Sequence, residues 1–424
     1  MKKFLFLGML SWAFGVLQAE TLQEALKQAK VDGEVKVVHY SRDATNSAIF
    51  GKANGTAIGG NIGLSTHAIN NVTFNTRIYT TNALRQISGN ASELANTNLV
   101  NGTKNYVLLG EINLAYDDGV NALVVGRQAL HTPLVGSDDA RVVKDLFEAV
   151  NFSTKLVPDT TLHALYIHKN SGMDNGDSNY NSAVNKNQFV SMSKTLGASY
   201  DKGMAVLGIE NSMLENLKLS MWYYDSFDLV KMLYYDAAYT FPLADEKSFT
   251  LEGHYWTIKS KSRYELDTNK KIDYNYGGVR ANYKDGGLLL QIAREHIHYA
   301  DKTVGIHTAW GMFTEYTYGY LIGSGIYGAI NGFGGQYITK LDASKLTLRY
   351  DFGNGVDIYT GYDIYKGDND AFMSDMNLLD LYVGFPCQLV KNAKWGLLYE
   401  YWDSGTNNIM VDNNLLRLKF TYSF

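Results

Sequence analysis

A dense cluster of opposed charges lies in residues 126–150, GRQALHTPLVGSDDARVVKDLFEAV. His131, Asp138, Asp139, Arg141 and Lys144 fall there, beside Pro133, one of only 4 prolines. Carboxylates facing bases across a narrow watery gap make no bonds. They create a transverse field that sorts ions by sign and size. In that reading Asp138 and Asp139 are negative poles, and Arg141 and Lys144 positive ones. A plainer reading pairs Asp138, Asp139 and Arg141 with one another to fix a loop. Bond-making chemistry has no comparable cluster. The 9 His are scattered, and His296 with His298 gives two ligands on one strand face without a third. No GxSxG or HExxH supplies a nucleophile with base and orienter, or a zinc pair. The single Cys387, in GFPCQ, excludes an intramolecular disulfide and has no metal spacing. The sequence therefore predicts no catalytic residue, no metal and no cofactor.

Strands must position these charges. In 411–424, VDNNLLRLKFTYSF, the residues Leu416, Leu418, Phe420, Tyr422 and Phe424 alternate with Arg417, Lys419, Thr421 and Ser423. Period two is the mark of a strand with unlike faces. The same alternation recurs through the chain. Ile58, Ile62 and Leu64 oppose Asn61 and Ser65, and Val72, Phe74 and Ile78 oppose Thr73, Asn75 and Arg77. Tyr235, Ala237, Tyr239 and Phe241 oppose Tyr234, Asp236, Ala238 and Thr240. In 105–117, Tyr106, Leu108, Ile112, Leu114 and Tyr116 are read as one face. Tight turns are expected at Asn70-Asn71, Asp117-Asp118-Gly119 and Pro158-Asp159. Strands are also expected at 192–200, while 303–339 is Gly- and Tyr-rich and yields no register. About 18 strands result, with short and long connections roughly alternating. That is the plan of a transmembrane antiparallel β-barrel, greasy outside and wet inside. No 40–50-residue repeat marks a propeller. Arg77, Lys218, Arg280, Arg349 and Arg417 fall on polar faces and are candidate lumen-wall bases. Arg127 sits at the strand end leading into the charged segment.

Composition agrees with an all-β membrane barrel. Mean hydropathy is -0.20 and no run of some 18 apolar residues follows the start, so no transmembrane helix is expected. Tyr, at 31 residues, outnumbers Phe at 18 and Trp at 6, which suits a membrane–water interface. The net charge of -5, without a basic block, argues against nucleic acid. A Tyr-rich soluble β-protein is the competing composition-level reading. Residues 1–19 read as a signal peptide: Lys2 and Lys3, an apolar run from Phe4 to Leu17, and processing before Glu20. Residues 20–31 read as a short periplasmic helical segment, with Thr21 and Glu24 as a capping box. Residues 32–424 form the barrel. The function read from this is passive, partly selective diffusion of small hydrophilic solutes and ions. A surface adhesin or structural barrel, and an outer membrane barrel hydrolase, are the alternatives.

Residues 126–150 also carry a resemblance. Gly126-Arg127-Gln128, Thr132-Pro133-Leu134, Ser137-Asp138-Asp139 with Arg141, and Phe147-Glu148 resemble the OprD-type specific outer membrane porins. The likeness is narrower still to the OprD-like porins of Campylobacter-related bacteria, whose mature start resembles LQEALKQAKVDGEVKV, residues 22–37. The resemblance implies a barrel of 18 strands in the outer membrane of a Gram-negative bacterium. Residues 129–147 would be its third extracellular loop, folded inward as a constriction. Solutes bearing a carboxylate would move along a basic ladder on the wall. Outer membrane lipids and the barrel assembly machinery are the expected partners, and a homotrimer is an open option.

Overall fold

The computed structural model describes residues 19–44, 53–84, 105–137, 142–172, 187–200, 202–306, 309–311, 314–317, 328, 331–369, 372–404 and 412–424. A short helix, α1 (Ala19–Lys27), leads into strand β1 (Lys30–Ala44). Next come β2 (Ala53–Ser65), β3 (Val72–Ala83), β4 (Tyr106–Asp117), β5 (Asn121–Gln128), β6 (Leu146–Val157) and β7 (Thr160–Ser171). A two-residue strand β8 (Val190–Ser191) and helix α2 (Met192–Thr195) precede β9 (Met204–Asn211). The series continues with β10 (Leu217–Asp225), β11 (Val230–Pro242), β12 (Ser248–Ser260), helix α3 (Ser262–Thr268), β13 (Asp273–Asp285) and β14 (Leu288–Tyr299). It ends with β15 (Lys340–Asp351), β16 (Asp357–Asn369), β17 (Met373–Pro386), β18 (Ala393–Ser404) and β19 (Asn413–Ser423).

Each strand pairs antiparallel with the next, β7 pairs directly with β9, and β19 pairs with β1. The result is a closed barrel of 18 strands, with β8 outside the ring. Closure leaves no edge, so every strand can meet hydrocarbon with its backbone satisfied. Leu416, Leu418 and Phe424 stand exposed on the outer row of β19, with Phe420 and Tyr422 in the same row, while Leu415, Arg417 and Thr421 are buried inside. The short connections gather at the rim that holds both chain ends. There Asn70, Asn71 and Asp159 take left-handed backbone at the tight turns expected for them. This is the periplasmic rim, and the long connections are extracellular. Helix α1 is tied to it: His67 N–H donates to the Ala25 carbonyl, Ala25 is buried, and Leu22 and Leu26 are exposed.

Three expectations change. Residues 192–200 form no wall strand; after β8 they coil into α2, with Met192, Ser193, Thr195, Leu196 and Ala198 buried. A segment buried on all sides shows no reliable period. Leu108 and Ile112 do not share a face. The β3–β4 register slips between Arg77 and Ile78, so one extra β4 residue, Gly110, turns Leu108 inward and leaves Ile112 exposed. And residues 42–57, whose Gly, Asn and Ala content predicts a loop, hold the end of β1, to Ala44, and the start of β2, from Ala53.

Candidate functional site

The seam where β1 meets β19 carries a row of bases. Inward positions on β1 are Glu34, Lys36, Val38, Tyr40 and Arg42; on β19 they are Leu415, Arg417, Lys419 and Thr421. In register, Arg42 faces Leu415, Tyr40 faces Arg417, Val38 faces Lys419 and Lys36 faces Thr421. Each successive rung of the seam thus holds one base, the two middle ones on β19 and the two outer ones on β1, at steps of about 7 Å. Lys36 Nζ lies 2.7 Å from Glu34. Half-way round the ring, the inner rows of β9, β11 and β12 carry Glu210, Asp236 and Glu252. Asp236 accepts from Ser220 Oγ at 2.5 Å, and Glu252 accepts from Asn282 and pairs with Arg280. Opposite signs on facing walls give the lumen a transverse field.

Three segments fill the extracellular half of the interior. Residues 142–146 lie against β1–β4, with Val142, Val143 and Leu146 packed on Val38, Ala57, Tyr79 and Leu108. Gly59 makes room for them, since a Cβ there would stand 2.7 Å from Val142 Cγ1. Residues 129–137 form a tight hairpin, with Ser137 N–H donating to Leu130 O at 2.8 Å and Thr132 Oγ1 to Val135 O at 2.6 Å. Leu130, Leu134 and Val135 are fully buried, and Leu134 N–H reaches Tyr224 Oη on β10 at 3.2 Å. Gly136 N–H donates to Trp310 O at 3.0 Å, and Trp310 Nε1 donates to Met192 O at 3.1 Å. The segment after β7 and the segment after β14 therefore meet the hairpin in one apolar core.

The connection between β14 and β15 has a polar anchor of its own. Glu295, fully buried on β14, accepts from Tyr316 N–H at 2.5 Å, Thr317 N–H at 2.9 Å and Thr317 Oγ1 at 2.5 Å. His254 Nε2 lies 3.1 Å from the same carboxylate. The His254 ring stacks on Tyr316 at 4.1 Å, and the Arg280 guanidinium sits over the same ring at 4.2 Å. Two planar groups at that distance must occupy opposite faces, so Tyr316 is sandwiched. Burial pushes its phenol above the ordinary value, so it is neutral at physiological pH. Tyr365 Oη donates to Thr317 O at 3.2 Å and completes the anchor. Further round the wall, Lys345 Nζ lies 2.6 Å from Asp363 and 3.1 Å from Asp380, all fully buried. Gly361 leaves the space for that ammonium.

The residues singled out from the sequence distribute as follows. Arg77 is on the inner row, 2.6 Å from Asp32 and 2.5 Å from Asn61. Arg280 is bound as above. Lys218 lies on the inner row of β10, exposed near the periplasmic rim, and Arg349 lies 3.6 Å from Asp357 at that same rim. Arg417 belongs to the seam. Arg127 stands opposite Ile112 and Glu148, on the row of exposed Ile112 rather than that of buried Gln128, with its guanidinium over Phe189. His131 is exposed on the hairpin and Lys144 half-buried beside Asp145. Asp138, Asp139 and Arg141 lie outside the described residues. Sequence reading passed over Arg42, Lys36, His254, Glu295 and Lys345. Lys36 was legible from its alternation with Val35 and Val37; nothing local marks Glu295, whose partners are distant in sequence.

A closed barrel with short turns at one rim, a greasy outer row and a charged interior is an outer membrane channel of the porin class. Residues 119–297 match the family model for "outer membrane porin, OprD family". That match covers less than half of the chain; together with the fold it makes the chain similar to the OprD-family porins of the Gram-negative outer membrane. Three solved structures show the likeness of fold. OpdK of Pseudomonas aeruginosa, determined with vanillate, has a TM-score of 0.72 at 14% identity, covering 94% of this chain and 99% of that one. OccK9 (OpdG) of Pseudomonas aeruginosa gives 0.73 at 14% identity over the same shares, 94% and 99%. A BenF-like porin from Pseudomonas fluorescens Pf-5 gives 0.71 at 14%, again over 94% and 99%. No curated protein matches the chain.

Proposed function

We propose that this porin conducts small solutes bearing a carboxylate, passively, along the β1–β19 seam. The observation that carries the reading is the placement of one base per rung: Arg42, Arg417, Lys419 and Lys36. An anion leaving one base finds the next within a single step, so no rung need hold it tightly. Guanidinium groups suit this task, because their charge is fixed and their fork matches a carboxylate. Residues 129–147 act as the constriction, supported by the contacts of 130–136 with Tyr224 and Trp310. The segment after β14 narrows the lumen with them. The narrower likeness, to the OprD-like porins of Campylobacter-related bacteria, rests on residues 22–37 and 126–148.

Planar-bilayer recording of the refolded protein tests the reading. In a KCl gradient, Arg417→Gln with Lys419→Gln should move the reversal potential toward cation preference. It should also weaken the block produced by vanillate, the compound found with OpdK. A reversal potential and a block both unchanged would remove the seam from the solute's path.

A further inference from the structure

Among the described residues, the outer wall changes character near the extracellular rim most clearly over the arc from β11 to β16. On β14 the outward row runs from Leu290 and Ile292 into Arg294, His296 and His298. On β15, Leu348 and Leu346 give way to Asp342 and Lys340; on β16, Tyr362 and Ile364 give way to Lys366. The same step occurs from Tyr255 to Lys259 on β12 and from Tyr235 to Lys231 on β11. Lys271, just before β13, joins the band. Register sets Lys231 opposite Lys259, and Lys340 opposite His298.

Carboxylates do not balance these bases. Asp273 is shared by Lys259 at 3.5 Å and Lys271 at 3.4 Å. Asp342 is shared by Arg294 at 3.5 Å and His296 at 3.1 Å. Lys366 has Asp375 at 3.6 Å. Lys231 and Lys340 make no ion pair among the described residues: Asp225, across the sheet from Lys231, is taken by Lys261, and Asp368, on the β16 row beside Lys340, is held by Thr339. Elsewhere among the described residues, this end of the outer row carries exposed Asp43 on β1 and Asp403 on β18, and Arg127 on β5 is paired with Glu148. Like charges directly opposite in a sheet repel. An anion set between them removes that cost, and long basic side chains at the edge of an apolar belt reach the headgroup layer.

We propose that the outer face of β11–β16 binds the phosphate groups of the outer-leaflet glycolipid, its acyl chains lying on Ile292, Leu346 and Ile364. The charge excess, its height at the belt's edge and its concentration on one arc of the described wall fit a phosphorylated headgroup anchored in lipid. Free phosphate shares the charge but lacks the apolar contact.

Native mass spectrometry of the refolded full chain in neutral detergent would test this, with bis-phosphorylated lipid A, the same lipid stripped of phosphate, and inorganic phosphate as probes. We expect the phosphorylated lipid to be retained about ten-fold better than the stripped one. Lys259→Gln with Arg294→Gln and Lys340→Gln should abolish that preference, while Lys259→Arg with Lys340→Arg should keep it. Heat-modifiable gel migration reports whether each variant is folded. If the triple variant is not, raising the salt to about 0.5 M should erase the wild-type preference, because exposed charges are screened beyond roughly 4 Å there. Equal retention of the two lipids, or a preference that survives both the triple variant and salt, would overturn the proposal. Displacement of the lipid by millimolar inorganic phosphate would also overturn it, by showing a site for the free ion.

Discussion

Replacing Glu295 by Gln should loosen the connection between β14 and β15. The carboxylate accepts from Tyr316 N–H, Thr317 N–H and Thr317 Oγ1, all buried. A hydrogen bond to a charged acceptor contributes about 1.5–3 kcal/mol net, against about 0.5–1.5 for a neutral one. Removing the charge therefore costs about 1 kcal/mol at each of these bonds. The amide's own NH₂ must also face one of the donors, which strands that donor at a further cost of about 1–3 kcal/mol. The anchor loses about 4–6 kcal/mol in all, a shift of roughly a thousand-fold or more between docked and released. Single-channel recording should show this as frequent current steps between levels in Glu295→Gln. Limited proteolysis should cut within 303–339 in the variant and spare the wild type. Thr317→Val, which removes only the hydroxyl, should give an intermediate phenotype. Quiet traces and intact chains in Glu295→Gln would refute the idea that this carboxylate holds the segment.

Other perturbations have equally definite outcomes. Lys345→Met leaves Asp363 and Asp380 buried without their cation; it should cost about 3–5 kcal/mol and lower the heat-modifiability midpoint on gels. Gly59→Val sets a side chain against Val142 and the Thr80 carbonyl, so residues 142–146 must lift; tryptic cleavage at Lys144 should be faster in the variant than in the wild type. The Asp118 carboxyl is held low by the N–H groups of Asn121 and Val120. Its folded value lies below its unfolded one, so its contribution to the β4–β5 turn is complete above the ordinary carboxylate range and fades as pH falls through the lowered value. Amide exchange at Val120 and Asn121 should accordingly stay protected at pH 4 and be lost at that pH in Asp118→Ala.

Much of this architecture was legible because a barrel in lipid repeats one rule, alternation, and interrupts it with turn chemistry. Strand β19 shows both unlike faces in its own residues, and Asn70-Asn71 marks its turn through two residues that tolerate left-handed backbone. What escaped reading lies where the rule is broken. Gly110 shifts parity within β4, and a single inserted residue leaves no mark in composition. Residues 192–200 and the described parts of 303–339 pack into the interior, so their Trp310, Tyr316 and Met192 are buried without any period. The seam of bases needs the β1–β19 register as well as each strand's alternation. Arg417 was visible as an inward base, but its succession with Arg42, Lys419 and Lys36 belongs to a pairing of residues nearly the whole chain apart.

On the path proposed above, that pairing ties selectivity to closure of the barrel. Arg42 and Lys36 are contributed by the first strand, and Arg417 and Lys419 by the last, so neither end of the polypeptide holds a usable track. The staggered row comes into being only when β19 zips onto β1, from Asn413 beside Ala44 to Ser423 beside Glu34. On the proposed path along the seam, a sheet still open at that join would lack the track altogether. Discrimination along that path is thus a property of the closed ring and of neither end strand alone.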